Sequence, residues 1–554
     1  PLQDLEKALA LGSDEERQQL RIGLDALVRL AVVAESETGV QHLDHPDLVP
    51  ARLRCSSKGF CFALRDDGGE DIYIRDHQLN HAWNGDRVLV KITREGGRRR
   101  SPEGGVQCIL ARDTTSLLAQ VEAREEDRLM AVPLDDRLLT SIELPSDDRI
   151  HAGGAGETVV EVRIDRFPVG QFAARGHVAR SLPVRGGPDA DRDLLLTKHH
   201  LQGRPAAPRT SLRQLEPKER ADLTHLAVLL PESWSGMEAP SLPGLSLETR
   251  EEGGWRLWVH APAVAERFTA TSAMDTWLNQ QAEAICAGTQ WLPLLPPALG
   301  KASALRVGER IEAISAALEL SATGDLEHFR FCLSTIKPAA RLDGAALVAL
   351  AERKPKARTV PAALKPLKEH LPLVENLLTV ASLLRSRRLE AGSPDLDLAM
   401  PAIDSLGDLR IPLPDASREG WLVQLPGNEP MALLREAVLV AHRALGRHLA
   451  ALQLPGLFAR NNAAEADDLN EVAKAALALE IPLELSVEGN ADAAELAAAF
   501  AATDRSRALQ SLLRGSLQSV ELDSQSGPHA LAGEAEAYAC LLYTSPSPRD
   551  RTRS

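Results

Sequence analysis

Along the first fifty residues apolar positions recur at helical spacing, Leu5, Ala8 and Leu9, then Leu20, Leu24, Leu27, Val28 and Leu30. This predicts two short helices, with Ser13 and Asp14 placed to cap the second. Glu35–Val40 makes a turn at the end of a short strand, so residues 1–50 read as helix, helix, ribbon, a winged-helix-like unit. Such a unit reads nucleic acid or docks to a partner, and the acidic run Asp14-Glu15-Glu16 leaves both open. From Ala51 the apolar period changes from helical to alternating. Arg54–Leu64 alternates around Gly59-Phe60-Cys61-Phe62, Asp66-Asp67-Gly68-Gly69 supplies a hairpin turn, and Asp71–Ile74 and Gly85–Val90 read as further strands. Short strands with such turns predict a five-stranded barrel over 51–112. Residues 113–185 repeat the theme near Leu117–Val121, Arg128–Val132, Val159–Ile164 and His177–Val178. Their few aromatics, Phe167 and Phe172, suit a weaker binder or a spacer. A linker is expected over 186–221, around Gly203-Arg-Pro-Ala-Ala-Pro-Arg209. Residues 222–539 mix strands (Arg256–Ala261, His328–Leu333) with helices (Ala345–Arg353, Val374–Glu390, Met431–Ala451, Ala493–Phe500), the pattern of one large α+β domain.

A chain of 554 residues, 44% hydrophobic and 25% charged, has the composition of a globular multidomain protein. Its apolar stretches fall short of the roughly 20 residues a membrane span needs. Net charge −15 argues against indiscriminate coating of nucleic acid. Against that background Arg87, Lys91, Arg94, Arg98, Arg99 and Arg100 face only Glu95 in sequence, a local basic patch or a solvated strand edge. The six cysteines, Cys55, Cys61, Cys108, Cys286, Cys332 and Cys540, form no CxxC pair and have no His at ligand spacing. Neither zinc nor a disulfide framework is expected, and a reducing cytoplasm fits. The chain opens at Pro1 without Met, and Cys540–Ser554 looks like translated sequencing-library adapter. We set 540–554 aside and expect the natural chain to continue past Ala539.

Lys58-Gly59-Phe60-Cys61-Phe62 resembles the cold-shock core Lys-Gly-Phe-Gly-Phe, and Asp71-Ile72-Tyr73-Ile74 its Asp-Ile-Phe-Val partner strand. The resemblance implies an OB barrel on which exposed aromatics stack unpaired bases while cations hold phosphates. Phe60, Phe62 and Tyr73 are the candidate stackers, with Lys58 and the 87–100 cations beside them. The competing reading places Phe60 and Phe62, which share a face in an alternating strand, inside the barrel core.

Two cold-shock-like OB barrels followed by a large α+β domain resemble the ribonuclease II/R (RNB) family of 3′→5′ exoribonucleases. Local motifs agree along the chain. Gly186–Pro205 resembles the family's pre-catalytic segment, Asp222-Leu223-Thr224 its opening Arg-Asp-Leu-Thr, and Leu257-Trp258-Val259-His260-Ala261 its Val-His-Ile-Ala strand. Trp291–Pro296 resembles Ile-Pro-Met-Leu-Pro, Leu434-Arg435-Glu436-Ala437 the Glu-Glu helix, and Pro528–Ala539 Pro-His-Phe…Glu-Ala-Tyr-Ala. The family implies Mg²⁺-dependent hydrolysis of threaded single-stranded RNA, one nucleotide at a time. It supplies the metal with Asp-x5-Asp-x-Asp-Asp, because a hard cation takes oxygen ligands. Here those positions are Glu232, Glu238, Pro240 and Ser241, and the last two cannot carry the charge. Glu232 and Glu238 are the remaining metal candidates, or else two solvated loop glutamates. The family's phosphate-holding Arg would fall within 540–554, and no function is carried onto Arg549. The expectation is an RNA-binding member of the family with catalysis in doubt. The alternatives are a catalytically inactive RNA-binding or scaffold protein and, on residues 1–50 alone, a winged-helix DNA-binding regulator.

Overall fold

A computed structural model describes residues 2–9, 13–29, 32–36, 39–42, 48–97, 100–124, 128–151, 158–184, 188–201, 206–209, 211–215, 220–232, 242–281, 284–287, 290–353, 360–396, 399–401, 422–424, 430–483 and 491–540. The chain divides into two compact units, Pro1–Gly203 and Arg204–Ser554.

The first unit opens with helices α1 (Leu2–Ala8) and α2 (Asp14–Arg29) and a ribbon of β1 (Val33–Ser36) and β2 (Gly39–His42). Ser13 caps α2 reciprocally: its hydroxyl accepts from the Glu16 amide at 3.2 Å, and the Glu16 carboxylate accepts from the Ser13 amide at 3.0 Å.

Strands β3 (Leu48–Cys55), β4 (Cys61–Arg65), β5 (Ile72–Ile74), β6 (Arg87–Arg94) and β7 (Glu103–Ala111) close a barrel in the order β3-β4-β5-β7-β6. Ala51, Leu53, Cys61, Ala63, Ile72, Ile74, Val88 and Val90 fill it. Strands β8 (Ser116–Ala123), β9 (Leu129–Pro133), β10 (Ile142–Leu144), β11 (Thr158–Arg166) and β12 (Arg175–Pro183) close a second barrel with the same winding. The sequence pattern misses β10, where three residues give too short an alternation to read. Trp83 meets Phe167 edge-on at 5.4 Å, with the Arg112 guanidinium 4.4 Å from the Phe167 ring, so an aromatic and cation contact joins the two barrels. Helix α3 (Pro188–Lys198) packs on the second barrel, where Thr197 meets Arg180.

One expectation is corrected here. Cys55 and Cys61 face each other across the β3–β4 ladder with their Cα atoms 4.0 Å apart, and a disulfide joins them. A search for CxxC spacing overlooks a pair that a hairpin brings together from six positions apart.

The second unit is built on a seven-stranded sheet of β13 (Ala221–Asp222), β14 (Val228–Pro231), β15 (Gly244–Thr249) and β16 (Trp255–Pro262), continued after helix α4 (Ala273–Gln281), the ribbon β17 (Ile285–Ala287) and β18 (Gln290–Leu292), and helix α5 (Pro297–Ser303) by β19 (Ile311–Leu320), β20 (Leu326–Ile336) and β21 (Pro338–Leu342). The order is β13-β20-β19-β16-β15-β14-β21. Helices α6 (Gly344–Ala351) and α7 (Leu371–Glu390), the ribbon β22 (Ala399–Pro401) with β23 (Leu422–Gln424), and helix α8 (Pro430–Ala451) follow. Leu229, Leu257 and Leu318 of the sheet bury against Leu347, Val374, Leu377 and Leu434 of α6, α7 and α8. Strand β24 (Phe458–Arg460), helices α9 (Ala466–Ala478), α10 (Ala493–Ala501) and α11 (Ser506–Ser516), and β25 (Glu521–Asp523) complete the unit. Its three last helices have their own core around the fully buried Phe500.

Candidate functional site

Strand alternation decides where the aromatics of the first barrel point. Cys61 and Ala63 on β4, and Ile72 and Ile74 on β5, face inward, so Phe62 and Tyr73 between them face outward. Phe60, just before β4, joins them: ring centres lie 6.1 Å apart for Phe60–Phe62, 5.8 Å for Phe60–Tyr73 and 5.6 Å for Phe62–Tyr73. The three rings form one half-exposed cluster outside the barrel, which overturns the core reading. Ladder pairing continues it into a row across five strands, Arg54, Phe62, Tyr73, Glu103 and Arg94. Arg54 was missed by sequence reasoning; the signal lay in the β3–β4 register, which sets it opposite Phe62.

Among the described cations of the 87–100 stretch, Arg94 and Arg100 line one hollow beside Glu103, while Arg87 stands apart. Arg87 and Arg94 stand at opposite ends of β6, seven residues or about 23 Å apart. Arg87 is bonded to Asp66 at 2.5 Å, and Arg94 lies 3.9 Å from Glu103, which Arg75 also holds at 3.2 Å. Lys58, Lys91 and Arg100 are exposed and make no ion pair among the described residues. Arg98 and Arg99 lie outside the described residues. In the second barrel Met130 and Glu143 occupy the outward positions that Phe62 and Tyr73 hold in the first, so among the described residues its matching face carries no stacking cluster.

In the second unit Glu232 follows β14, its amide bonded to the Leu342 carbonyl at 2.9 Å. Its carboxylate is held by Arg341 of β21 at 2.5 Å. Glu238, Pro240 and Ser241 lie outside the described residues. Asp222 accepts from the hydroxyl and amide of Thr224, at 2.6 and 3.0 Å, and from Arg310 at 3.1 Å. These bonds hold its carboxyl down at about 2. Among the described residues no three His, Cys, Asp or Glu side chains are placed to hold a metal ion. The donor set does not fit Mg²⁺: two of the four expected positions are Pro and Ser, and Glu232 is bonded to a guanidinium.

Glu436, on the helix that resembles the family's Glu-Glu helix, is spent on packing. Arg388 of α7 donates to both its oxygens, at 2.7–3.0 Å, and to Ser393 at 2.8 Å, with both charges nearly out of solvent. Nearby, Glu534 is buried between Arg443 (2.9 Å) and Arg447 (3.0 Å).

His260 on β16 is fully buried, its ring bonded to Ser315 at 2.7 Å and Ser246 at 3.2 Å, and burial pushes its pKa down to about 3. His442 on α8, bonded to the Tyr538 hydroxyl at 2.9 Å, is lowered to about 4, by burial first and then by His529. Both must take up protons on unfolding below the ordinary histidine value of about 6.5. Stability is therefore fully present above pH 6.5 and is lost as pH falls toward 4, by up to about 1.4 kcal/mol per pH unit for each histidine. Thermal melts between pH 7.5 and 5 are expected to show this fall, and His260→Gln to flatten its slope while lowering the melting point at pH 7.5. An unchanged slope in that variant would remove His260 from the account.

Residues 220–549 match the RNB domain, residues 51–109 the Ribonuclease B OB domain, and residues 1–43 the N-terminal domain of cyanobacterial RNase R. The acetazolamide conferring resistance protein zam of Synechocystis is 33% identical over 97% of this chain and 68% of its own length. Ribonuclease R of Escherichia coli is 23% identical over 98% of this chain and 65% of its own, and that of Aquifex aeolicus 26% over 74% and 57%. The chain thus spans about two thirds or less of these relatives. In fold it is similar to Mycoplasma genitalium RNase R in complex with ribose methylated single-stranded RNA, with a TM-score of 0.70, 15% identity and 90% of this chain and 77% of that one covered. It is similar also to yeast Ssd1, a pseudonuclease, with a TM-score of 0.61, 16% identity and coverage of 92% and 68%. OB barrels ahead of an RNB domain define the class, a multidomain fold of the RNase R type. The chain belongs to the RNB family, whose members include RNase R. The match of residues 1–43 to an RNase R N-terminal domain takes the place of the DNA-regulator alternative. No described helix is long and apolar enough to cross a membrane.

Proposed function

We propose that this chain binds single-stranded RNA on the first barrel and hydrolyses it slowly or not at all. The observation that carries the reading is the outward cluster of Phe60, Phe62 and Tyr73, with Arg54 opposite Phe62 and the unpaired Lys58 in the adjoining loop. Half-exposed rings on a sheet face offer stacking platforms to unpaired bases, and cations at the edge meet the phosphates. The RNA held by the Mycoplasma RNase R supports this partner class, and the name of yeast Ssd1, a pseudonuclease, supports a family fold kept without catalysis. RNA binding through these groups needs no Mg²⁺, and the cytoplasm, where RNA is met, is the proposed setting.

Replacing Phe60 or Tyr73 by Ala is expected to weaken binding of a labelled single-stranded RNA by about 1–3 kcal/mol each, read by fluorescence anisotropy. Affinity unchanged in both variants would discard the barrel as the binding face.

A further inference from the structure

We propose that Cys55 and Cys61 form a thiol–disulfide exchange site that sets the RNA affinity of the first barrel, with a dithiol reductant as its reaction partner. The inference rests on the RNA reading of that barrel. The two cysteines close a hairpin loop, Ser56–Phe60, that carries Lys58 and Phe60, one cation and one ring of the proposed binding face. Inside the loop three hydrogen bonds order the backbone: Ser56 donates to the Phe60 carbonyl at 2.9 Å, Gly59 to the Ser56 carbonyl at 3.1 Å and Lys58 to the Ser56 hydroxyl at 3.3 Å, with Gly59 at φ +85. At the start of the loop the Cys55 amide donates to the Asn84 side-chain oxygen at 2.9 Å. The disulfide is thus the covalent clasp at the root of the segment that brings Phe60 within 6.1 Å of Phe62.

The two sulfurs differ in access. Cys61 points into the barrel and is 1% exposed, whereas Cys55 is half-buried at the strand end. A thiolate of the reductant attacks the Cys55 sulfur, the bond to Cys61 breaks, and Cys61 leaves as a thiolate that takes a proton. The second thiol of the reductant then displaces Cys55 from the mixed disulfide. Two electrons have passed to the protein, which holds two thiols, and the reductant is released as a disulfide. The reverse exchange, with an oxidised dithiol, restores the clasp. Closed, the loop is pre-ordered and Phe60 is presented to a base. Open, RNA must order the loop on binding, which lowers affinity.

The test measures anisotropy of a labelled single-stranded RNA with the full chain, oxidised and then reduced with dithiothreitol, beside the variant Cys55→Ser/Cys61→Ala. Reduction is expected to weaken binding by about two- to tenfold. The variant is expected to bind as the reduced protein does in both conditions, and trypsin to cut after Lys58 faster once the clasp is open. Equal affinity of the oxidised and reduced protein overturns the switch and leaves the RNA reading standing, while no binding in either state overturns both. A redox response that persists in the variant overturns the proposal too, since other cysteines then cause it. So does an oxidised protein in which Cys55 and Cys61 can still both be alkylated.

Discussion

A 3′-labelled single-stranded RNA incubated with this chain and millimolar Mg²⁺ or Mn²⁺ is expected to remain at least about 100-fold more intact than with an RNB protein that keeps all four aspartates. A divalent cation activates water only when several carboxylates offset its charge and fix its geometry. Pro240 and Ser241 offer none, and the Glu232 carboxylate is bonded to Arg341 instead. Misplacing a reacting group by about 1 Å already costs on the order of 100-fold. Pro240→Asp and Ser241→Asp are expected to raise metal affinity, measured by calorimetry, and to do so further when Arg341→Gln releases Glu232. Robust metal-dependent release of mononucleotides by the unmodified chain, lost in Glu232→Gln, would overturn the slow-or-inactive reading.

Replacing Arg388 by Met is expected to destabilise the second unit by about 3–5 kcal/mol, because Glu436 is left charged and nearly buried with its main partner gone. Ser393 also loses the guanidinium that anchors it, though its bond to the Leu531 carbonyl remains. The double variant Arg388→Met/Glu436→Leu removes both charges and is expected to recover most of the loss, since a well-packed apolar pair costs no ion desolvation. Urea denaturation of the three proteins reads this directly. Equal stability of the single and double variants would mean that Glu436 finds another partner, and the α7–α8 clamp would lose its role.

Local chemistry made the barrels and the helices legible. The change of apolar period at Ala51 marked the first barrel, and Ser13, placed to cap the second helix, does cap α2. Phe60, Phe62 and Tyr73 were identifiable as a group through the resemblance of their two segments to the cold-shock core and its partner strand. Which face they take could not be read, since a barrel strand with aromatics on one side and small residues on the other satisfies the alternation either way. The answer came from the core, which the small Cys61 and Ala63 fill together with Ile72 and Ile74.

The sequence by itself determined the family motifs, the Pro and Ser at positions 240 and 241 where the resemblance expects carboxylates, and the strands that carry the aromatics, because each of these is a matter of residue type or short-range period. Tertiary structure alone decided the pairings. It set Arg54 opposite Phe62, joined Cys55 to Cys61, and brought Arg341 to Glu232 across 109 positions. Each of these depends on strand register or on the order of strands in a sheet, which backbone hydrogen bonding and core packing settle over the whole domain at once.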